Sequence, residues 1–493
     1  MKTIILKAQR YEEMRLALTA TQLFEQSATQ LRQLISSREV SATEVLRAHL
    51  TRIEDVNSHL NAIVTLVAEP ALAQAATLDQ KLARGEDIGI LGGIPVGHKD
   101  LALTKGIRTT FGSRLYENYV PDENALIVQR MQDAGAITIG KTNTPEWGAG
   151  SQTFNEVFGS TKNPYDLSKT CGGSSGGAAV SLASRMLPLC DGSDMGGSLR
   201  NPASFCNVVG LRPSAGRVPS VPSEAGWFNL PTSGPMARTV EDCALLMAAI
   251  AGPDPRAPLS IQESGQAYLK PLDRDFKNVR VALSSDFDGQ IPVQSEVRNI
   301  IDKAAQPLTD IGCRIDNHCP DFSGADTAFK TLRAWSFAMR FGDDIAHRRD
   351  FYKDTIIWNA EAGLALTGKD MGAAEKARTQ LFNRFSELFR NYEFLLLPVV
   401  QVAPFSIDDE YVKDIDGVIM ETYIDWMKSC YYLSPLGLPA ISIPCGFTRH
   451  GLPVGLQIIG GPQQDLAVLQ LAYAFQQANP AWKTQPDISP LVA

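Results

Sequence analysis

Two short segments of very small residues, close together in the chain, constrain the fold of this protein most strongly. The first covers residues 172–177 and the second residues 192–198, and glycine and serine make up most of both. Such residues allow the backbone to approach another backbone or a ligand closely. A flexible linker is the weaker interpretation, because the first segment leads directly into Ala178–Ala183, which predicts a buried helix without charged residues.

Elsewhere the chain alternates between predicted helices and predicted strands. Ser27–Gln30 and Ser41–Glu44 have the capping-box pattern that begins a helix. Helices are also predicted over residues 125–131 and 465–475 and in the aromatic-rich stretch 320–385. Short buried apolar runs predict strands at residues 93–97, 136–139, 394–397, 440–443 and 455–459. This alternation predicts an α/β fold.

Composition excludes a disordered, collagen-like or coiled-coil protein, and charge argues against a nucleic-acid-binding one. The chain has 493 residues, of which 44% are hydrophobic and 20% charged, as in an ordinary globular protein. The formal net charge of −8 argues against direct binding to a nucleic-acid backbone. Eight scattered cysteines without a C-x-x-C pair indicate buried thiols in a reducing compartment.

No segment predicts attachment to a membrane. The apolar run Thr3–Leu6 is too short for a signal peptide. No run of 18 apolar residues, the length needed for a membrane span, occurs in the chain. The sequence therefore predicts a cytoplasmic protein.

Two segments of the chain match the patterns of known catalytic or phosphate-binding motifs. Residues 135–142 fit the phosphate-loop pattern G-x-x-x-x-G-K-[ST], but the four intervening residues resemble a strand rather than a flexible loop, so we reject that match. Residues 172–176 and 173–177 both fit G-x-S-x-G, the nucleophile elbow of α/β-hydrolases. A serine esterase of that type needs a downstream histidine, for which only His318, His347 and His450 are available, and it remains an alternative.

A metal centre is not predicted. The six histidines show no i, i+4 ligand spacing with an acid between them. Asp286–Gly289 contains only a fragment of a calcium loop and is more typical of a turn. We therefore expect no metal and no cofactor.

The candidate catalytic residues are two serines and a lysine. Serine is a weak nucleophile without a base, and a lysine serves as that base once burial makes its amine neutral. Lys99 follows a short apolar strand, and Ser174 and Ser198 lie in the two small-residue segments. Composition alone does not select these three, since Lys99 would also fit a surface lysine beside Asp100.

The choice follows from a resemblance. Residues 172–177, 192–203 and 210–219 resemble the signature of the amidase signature family, and the blocks at 93–100, 140–144, 437–444 and 451–457 fit it as well. The resemblance implies a single α/β domain with a mixed twisted sheet of about eleven strands covered by helices on both faces. It spans residues 27–478, with a variable specificity region at about 220–390, an N-terminal extension at 1–26 and a C-terminal tail at 479–493.

The resemblance also implies the catalytic roles. Ser198 would be the nucleophile, Ser174 the bridging serine after a cis peptide bond from Gly173, and Lys99 the base. The backbone of Met195, Gly196 and Gly197 would form the oxyanion hole, and Asp194 would pair with Arg200 to fix the loop. The residue before the base is usually apolar in the family but is His98 here, which we interpret as filling space, although a cationic His98 would lower the pKa of Lys99.

Substrate contacts are predicted by position. The matching stretch in the family lines the acyl side, and here it contains Trp147, Gly148, Ala149, Gly150 and Ser151. Further aromatic candidates for an apolar pocket are Trp227, Trp335, Trp358 and Trp426. Such a pocket would favour aryl or alkyl amides.

Three functions follow from these assignments. The first is an amidohydrolase that cleaves a carboxamide or acylamide C–N bond through an acyl-enzyme on Ser198. The second is the glutamine-hydrolysing subunit of a tRNA-dependent amidotransferase, and the third is the serine esterase. For the first, the expected partners are a small-molecule amide, no nucleic acid bound directly, no membrane, and a homodimer as one possible assembly.

Overall fold

A computed structural model describes residues 20–491 of the chain. The apolar run Thr3–Leu6, considered above as a signal peptide, and most of the N-terminal extension lie outside this range. Within it, the eight cysteines are all buried and free, as expected. No helix among residues 20–491 is long and apolar enough to cross a membrane.

The centre of the fold is a mixed sheet of eleven strands. In chain order they are β1 Ile63–Leu66, β2 Pro95–Lys99, β3 Ile137–Thr142, β4 Leu189–Asp194, β5 Val209–Arg212, β6 Thr232–Ala237, β7 Arg280–Leu283, β8 Arg314–Asn317, β9 Phe394–Pro398, β10 Ala440–Phe447 and β11 Pro453–Gly460. Their order across the sheet is β1-β3-β2-β4-β6-β5-β10-β11-β9-β7-β8. The five strands predicted from short apolar runs are all present, and the rejected phosphate-loop match is itself strand β3.

Parallel and antiparallel pairing alternate in blocks across this sheet. Strand β2 pairs in parallel with β3 on one side and β4 on the other. The central strands from β4 to β9 pair antiparallel, and β7 pairs in parallel with β9 and β8 at the far edge. The C-terminal ends of β2 and β4 therefore lie side by side, which brings two functional segments together.

Helices cover the sheet on both faces. They are α1 Ala20–Glu25, α2 Ala28–Ser36, α3 Ala42–Leu60, α4 Ala68–Ala83, α5 Leu126–Asp133, α6 Gly176–Ala183, α7 Arg200–Phe205, α8 Val240–Ile250, α9 Ser295–Lys303, α10 Ala305–Asp310, α11 Ala325–Arg348, α12 Asp354–Leu364, α13 Gly368–Asn391, α14 Lys428–Tyr431 and α15 Asp465–Ala478. Both predicted capping boxes are formed, with Ser27 at the start of α2 and Ser41 at the start of α3. The predicted α/β fold with a large mixed sheet is confirmed.

Two helices, α6 and α11, matter most for the site because their buried residues pack next to it. Helix α6 is buried along its whole length and contains only small and apolar residues, so its first turn can lie against the sheet without a side chain in between. Helix α11 is amphipathic, and its buried face includes Phe329, Phe337 and Phe341. A separate hydrophobic cluster joins α11 and α12 to Ala149, in the loop predicted to contact substrate.

Candidate active site

Lys99 is buried at the end of strand β2, with 2% of its surface exposed. Its Nζ donates to Ser174 Oγ at 2.7 Å and to Ser193 Oγ at 3.1 Å. Burial lowers the pKa of the Lys99 amine to about 7, against the opposing charges of Asp194 and Asp191. A lysine in this setting is a base near neutral pH, whereas a surface lysine is not.

The two small-residue segments meet beside this amine. Ser174 precedes helix α6, Ser198 precedes helix α7, and the Ser175 N–H donates to the Ser198 carbonyl at 3.2 Å. The Gly173–Ser174 peptide bond is cis. The Ser198 hydroxyl makes no hydrogen bond to any other residue in the range 20–491, and the residue keeps 8% of its surface exposed. Lys99 and Ser174 are thus in direct contact, and Ser198 lies in the neighbouring turn with an unengaged hydroxyl.

Asp194 and Arg200 form a fully buried ion pair that shapes the turn before Ser198. Arg200 Nε and Nη2 donate to the two Asp194 carboxylate oxygens at 3.0 and 2.9 Å, and Arg212 lies against the same carboxylate. Burial alone would raise the pKa of Asp194, but the two guanidinium groups outweigh it and hold that pKa well below its usual range. The predicted pairing is therefore present in the structure.

The same carboxylate also anchors the backbone of the turn. Asp194 accepts hydrogen bonds from the N–H groups of Gly197, at 2.8 Å, and Leu199, at 3.1 Å. Gly197 has φ +122°, and a Cβ there would lie 2.5 Å from Cys430 Cβ, so only glycine fits. Because Asp194 engages the N–H groups of Gly197 and Leu199, the N–H groups of Met195, Gly196 and Ser198 are the ones in this turn without a hydrogen-bond acceptor among the described residues.

The loop predicted to contact substrate lies against Ser174. Gly148 has φ +69°, and a Cβ at this position would lie 3.4 Å from Ser174 Oγ. Farther along, the Ala149 carbonyl accepts a hydrogen bond from Lys353 Nζ, and the Ser151 hydroxyl contacts the sulfur of Met427. Lys353 and Met427 therefore help to fix the loop, and neither was singled out from the sequence.

A cavity of about 650 Å³ opens next to Lys99. Its walls are mainly apolar and aromatic, with Phe111, Trp147, Met195, Phe337 and Phe341 among the lining residues. None of the other four candidate tryptophans lines it: Trp426 is buried in the main core, whereas Trp227 is 77% exposed. The cavity is large enough for a small organic ligand.

His98 does more than fill space. The ring is fully buried, and its Nδ1 lies 2.5 Å from Asp191 Oδ2, while its Nε2 lies 3.0 Å from Thr138 Oγ1. The other Asp191 oxygen accepts the backbone N–H of Lys99 at 2.8 Å. Asp191 therefore joins both His98 and Lys99, a connection that the sequence did not predict.

Ser193 was not predicted either. Its hydroxyl is a second acceptor for the Lys99 amine, and it lies one residue before Asp194 in a segment already singled out for its small residues. By contrast, none of the histidines within residues 20–491 hydrogen-bonds to a serine of the two small-residue segments. The esterase alternative lacks the histidine contact that it requires.

Comparison with known proteins agrees with this geometry. The sequence model of the family described as Amidase matches residues 44–469. The chain belongs to the amidase family. It is similar to the A subunit of Glutamyl-tRNA(Gln) amidotransferase from Alkaliphilus metalliredigens, with 34% identity over 485 residues that cover 91% of this chain and 96% of the relative. As a member of this family, the protein is an enzyme that hydrolyses amide C–N bonds.

Solved structures show the same fold. A bacterial aryl acylamidase of the amidase signature family superposes with a TM-score of 0.86 at 29% identity, covering 92% of this chain and 96% of that one. The A subunit of Glutamyl-tRNA(Gln) amidotransferase from Thermotoga maritima superposes with a TM-score of 0.71 at 27% identity, covering 94% and 95%.

These relatives correct the expectation about partners. The expected set of partners was a small-molecule amide, no directly bound nucleic acid and a homodimer as one possible assembly. That set is wrong, because each of these relatives is named as one subunit of a Glutamyl-tRNA(Gln) amidotransferase. The net charge of −8 was misleading because it bears only on direct attraction to phosphate. It carries no information about association with other protein subunits.

Proposed function

We propose that the protein hydrolyses an amide C–N bond through an acyl-enzyme on Ser198, with Ser174 and Lys99 relaying the proton. The buried contact of 2.7 Å between Lys99 Nζ and Ser174 Oγ carries this proposal. A hydroxyl that touches a neutral amine can pass on a proton and take up another. No other arrangement among the candidate residues offers the nucleophile a base.

The first half of the reaction forms the ester. Lys99 accepts the Ser174 proton while Ser174 accepts the Ser198 proton, and Ser198 Oγ bonds to the amide carbon. The tetrahedral oxyanion lies against the turn of Met195, Gly196 and Gly197. Since Asp194 occupies the Gly197 N–H, the N–H groups of Met195 and Gly196, with that of Ser198 itself, are the available donors.

The second half releases both products. The C–N bond breaks as the relay returns a proton to the departing nitrogen, which leaves as ammonia or an amine. Water then attacks the ester carbon, gives a proton to the same relay, and Ser198 is restored with release of the carboxylic acid. Residues 147–151 would hold the acyl part of the substrate, because Gly148 lies beside Ser174.

Glutamine is the proposed amide, and the chain is proposed to act as the glutamine-hydrolysing subunit of a tRNA-dependent amidotransferase. The support comes from the curated relatives: several bacterial amidotransferase A subunits are 34–36% identical to this chain and align over more than nine-tenths of it. In that role, ammonia passes to a partner protein. The cytoplasm remains the predicted compartment.

Hydrolysis of an aryl or alkyl amide is the second candidate. Two observations favour it: the aromatic lining of the cavity, and the higher TM-score with the aryl acylamidase, 0.86 against 0.71 with the amidotransferase chain. Both candidates use the same catalytic residues, so they differ only in what the cavity accepts and in whether a partner is needed.

One experiment separates them. The purified chain is given glutamine or an anilide, alone and with the remaining subunits of a Glutamyl-tRNA(Gln) amidotransferase, and released ammonia or aniline is measured. Glutamine turnover that rises with the other subunits supports the amidotransferase role, and anilide turnover by the chain alone supports the second candidate. Ser198→Ala must abolish either activity, and activity that survives this change contradicts the acyl-enzyme.

The proposed domain boundaries give the variable region a role in specificity. Residues 27–478 form the proposed catalytic domain, and the segment at about 220–390 contributes Glu224, Phe337 and Arg340 to the cavity. The catalytic residues all precede that segment. We therefore assign the chemistry to Lys99, Ser174 and Ser198, and a share of substrate choice, beside residues 147–151, to residues 220–390.

A further inference from the structure

His98 and Asp191 form a buried pair next to the proposed base, and the proposed reaction does not use it. His98 Nδ1 lies 2.5 Å from Asp191 Oδ2, and both side chains are almost fully buried. An ionised carboxylate only accepts hydrogen bonds, so Nδ1 carries the hydrogen and donates it to Asp191. Asp191 lines the cavity beside Lys99, whereas His98 does not. Any effect of His98 on the reaction therefore passes through a neighbouring residue.

The pairing of the strands makes Asp191 the link to the base. Strands β2 and β4 pair in parallel through Val96 with Leu189 and Gly97 with Cys190. The register of the two strands ends there, and the Lys99 N–H donates instead to Asp191 Oδ1 at 2.8 Å. A side-chain carboxylate from β4 thus takes the place of a backbone acceptor at the residue that carries the base. The position of the Lys99 backbone depends on where that carboxylate is held.

His98 holds this carboxylate by its other oxygen. The second ring nitrogen, Nε2, lies 3.0 Å from Thr138 Oγ1, which also accepts a hydrogen bond from Gln132 Nε2 at 3.1 Å. Since the Thr138 hydroxyl accepts from Gln132, its own hydrogen remains for His98 Nε2. With a partner on each nitrogen, the buried ring cannot rotate without losing a hydrogen bond. The Asp191 carboxylate is therefore fixed between the His98 ring and the Lys99 backbone.

The charge of Asp191 acts on two buried lysines. Burial lowers the pKa of Lys99 to about 7 and that of Lys141 to about 8, and Asp191 is among the charges that oppose both shifts. Lys141 lies opposite His98 in the register of β2 and β3, and its Nζ donates to Thr104 Oγ1 at 2.7 Å. Within residues 20–491, the other charged groups on the elements packed around this pair have partners elsewhere: Asp100 bonds to Thr110, Arg130 to three backbone carbonyls, Asp133 to Gln129, Asp194 to Arg200, Arg238 to the Leu187 carbonyl, Glu241 to Gln476 and Asp242 to Thr29.

We propose that His98 is a positioning residue for amide hydrolysis, which acts on Lys99 through Asp191. Its N–H holds the Asp191 carboxylate on the Lys99 backbone and offsets part of the charge of that carboxylate. Without this N–H, the charge of Asp191 acts more strongly on the Lys99 amine, which then stays protonated to a higher pH and accepts no proton from Ser174. This inference rests on the proposed function, because it takes Lys99 as the base.

The acid limb of a kcat/KM profile measures the effect. Activity is followed as ammonia released from glutamine with the remaining subunits of a Glutamyl-tRNA(Gln) amidotransferase present, or as aniline released from the anilide. His98→Leu should move the limb upward by about one pH unit and lower kcat/KM about tenfold on its acid side. KM should change little, because His98 does not line the cavity.

Two polar variants and a control sharpen this measurement. His98→Asn should leave the acid limb in place, because the amide nitrogen is bonded to Cγ, as Nδ1 is, and donates to Asp191. The nitrogen of His98→Gln lies one bond farther out, so this variant should move the limb as His98→Leu does. His49→Leu is the matched control: His49 is also fully buried, but its Nδ1 contacts only the Met186 carbonyl, and the limb should stay in place.

A second background tests the route through Asp191. In Asp191→Leu, the further change His98→Leu should leave the acid limb where Asp191→Leu alone places it, and the double variant contains no buried carboxylate without a partner. An equal upward shift in both backgrounds overturns the route, because it indicates a direct field of a cationic His98 on Lys99. His98→Gln replaces His98→Leu in both backgrounds if circular dichroism shows that His98→Leu does not fold.

The outcomes separate this inference from the proposed function. If Ser198→Ala is inactive but His98→Leu leaves kcat and the acid limb unchanged, the role of His98 is overturned and the proposed function stands. If Ser198→Ala remains active, the proposed function fails, and the imidazole N–H resonance of His98 in the proton NMR spectrum still tests the contact with Asp191. We expect this resonance in the wild type and not in Asp191→Leu, and a resonance that Asp191→Leu leaves unchanged overturns the inference.

Discussion

Acidification should switch the enzyme off through a single group, Lys99. The amine acts as a base only when it is neutral, and burial places its pKa at about 7. Activity is therefore present above this pKa and lost as the pH falls through it. The neutral fraction is one half at that pH, about one tenth one pH unit lower and about one hundredth two units lower, so kcat/KM should fall about tenfold for each unit.

The assay is a profile of kcat/KM from about pH 3.5 to about pH 8 at constant ionic strength, under conditions where the free enzyme is titrated. Circular dichroism at each pH distinguishes loss of activity from loss of fold. An acid limb near pH 4, as for an ordinary carboxylate, would refute the role of Lys99. So would a profile that stays flat across neutrality.

Three further changes test the network around the amine. Asp191→Asn removes a carboxylate that raises the pKa of Lys99, so the acid limb of the same profile should shift to lower pH; a shift upward contradicts the charge assignment. Ser193→Ala removes one acceptor of Lys99 but not Ser174, and should lower kcat far less than Ser174→Ala; equal losses would make Ser193 the relay. Arg200→Met leaves Asp194 buried with one cation fewer, and should cost about 3–5 kcal/mol of unfolding free energy in a denaturant titration. The control Arg280→Met breaks an exposed pair with Asp316 and should cost under about 1 kcal/mol, and similar costs for both variants would contradict the argument.

Local sequence patterns were enough for five of the eleven strands and for the starts of two helices. Short apolar runs bounded by Gly and Pro marked strands such as Ala440–Phe447, and capping boxes marked helix starts, because both signals depend on neighbouring residues alone. Local patterns did not identify the catalytic residues. No neighbouring residue in the sequence distinguishes Lys99 as a base, and the resemblance to a family was needed to select it.

The contacts missed from the sequence join residues that are far apart along the chain. His98 and Asp191 meet because strands β2 and β4 are neighbours in the sheet, and Arg340 stacks on Trp147 from a helix nearly two hundred residues away. No pattern in the sequence encodes such pairings. They arise from tertiary packing, which also decides whether a charged side chain meets a partner or an empty cavity.

The mass of the enzyme during turnover tests the central claim most directly. Wild-type protein is mixed with its amide substrate, quenched in acid and digested, and the peptides that contain Ser174 and Ser198 are weighed. The account predicts the acyl group of the substrate as an ester on the Ser198 peptide, absent from Ser198→Ala. An acyl group on Ser174, or steady hydrolysis with no acyl group on either peptide, would contradict it.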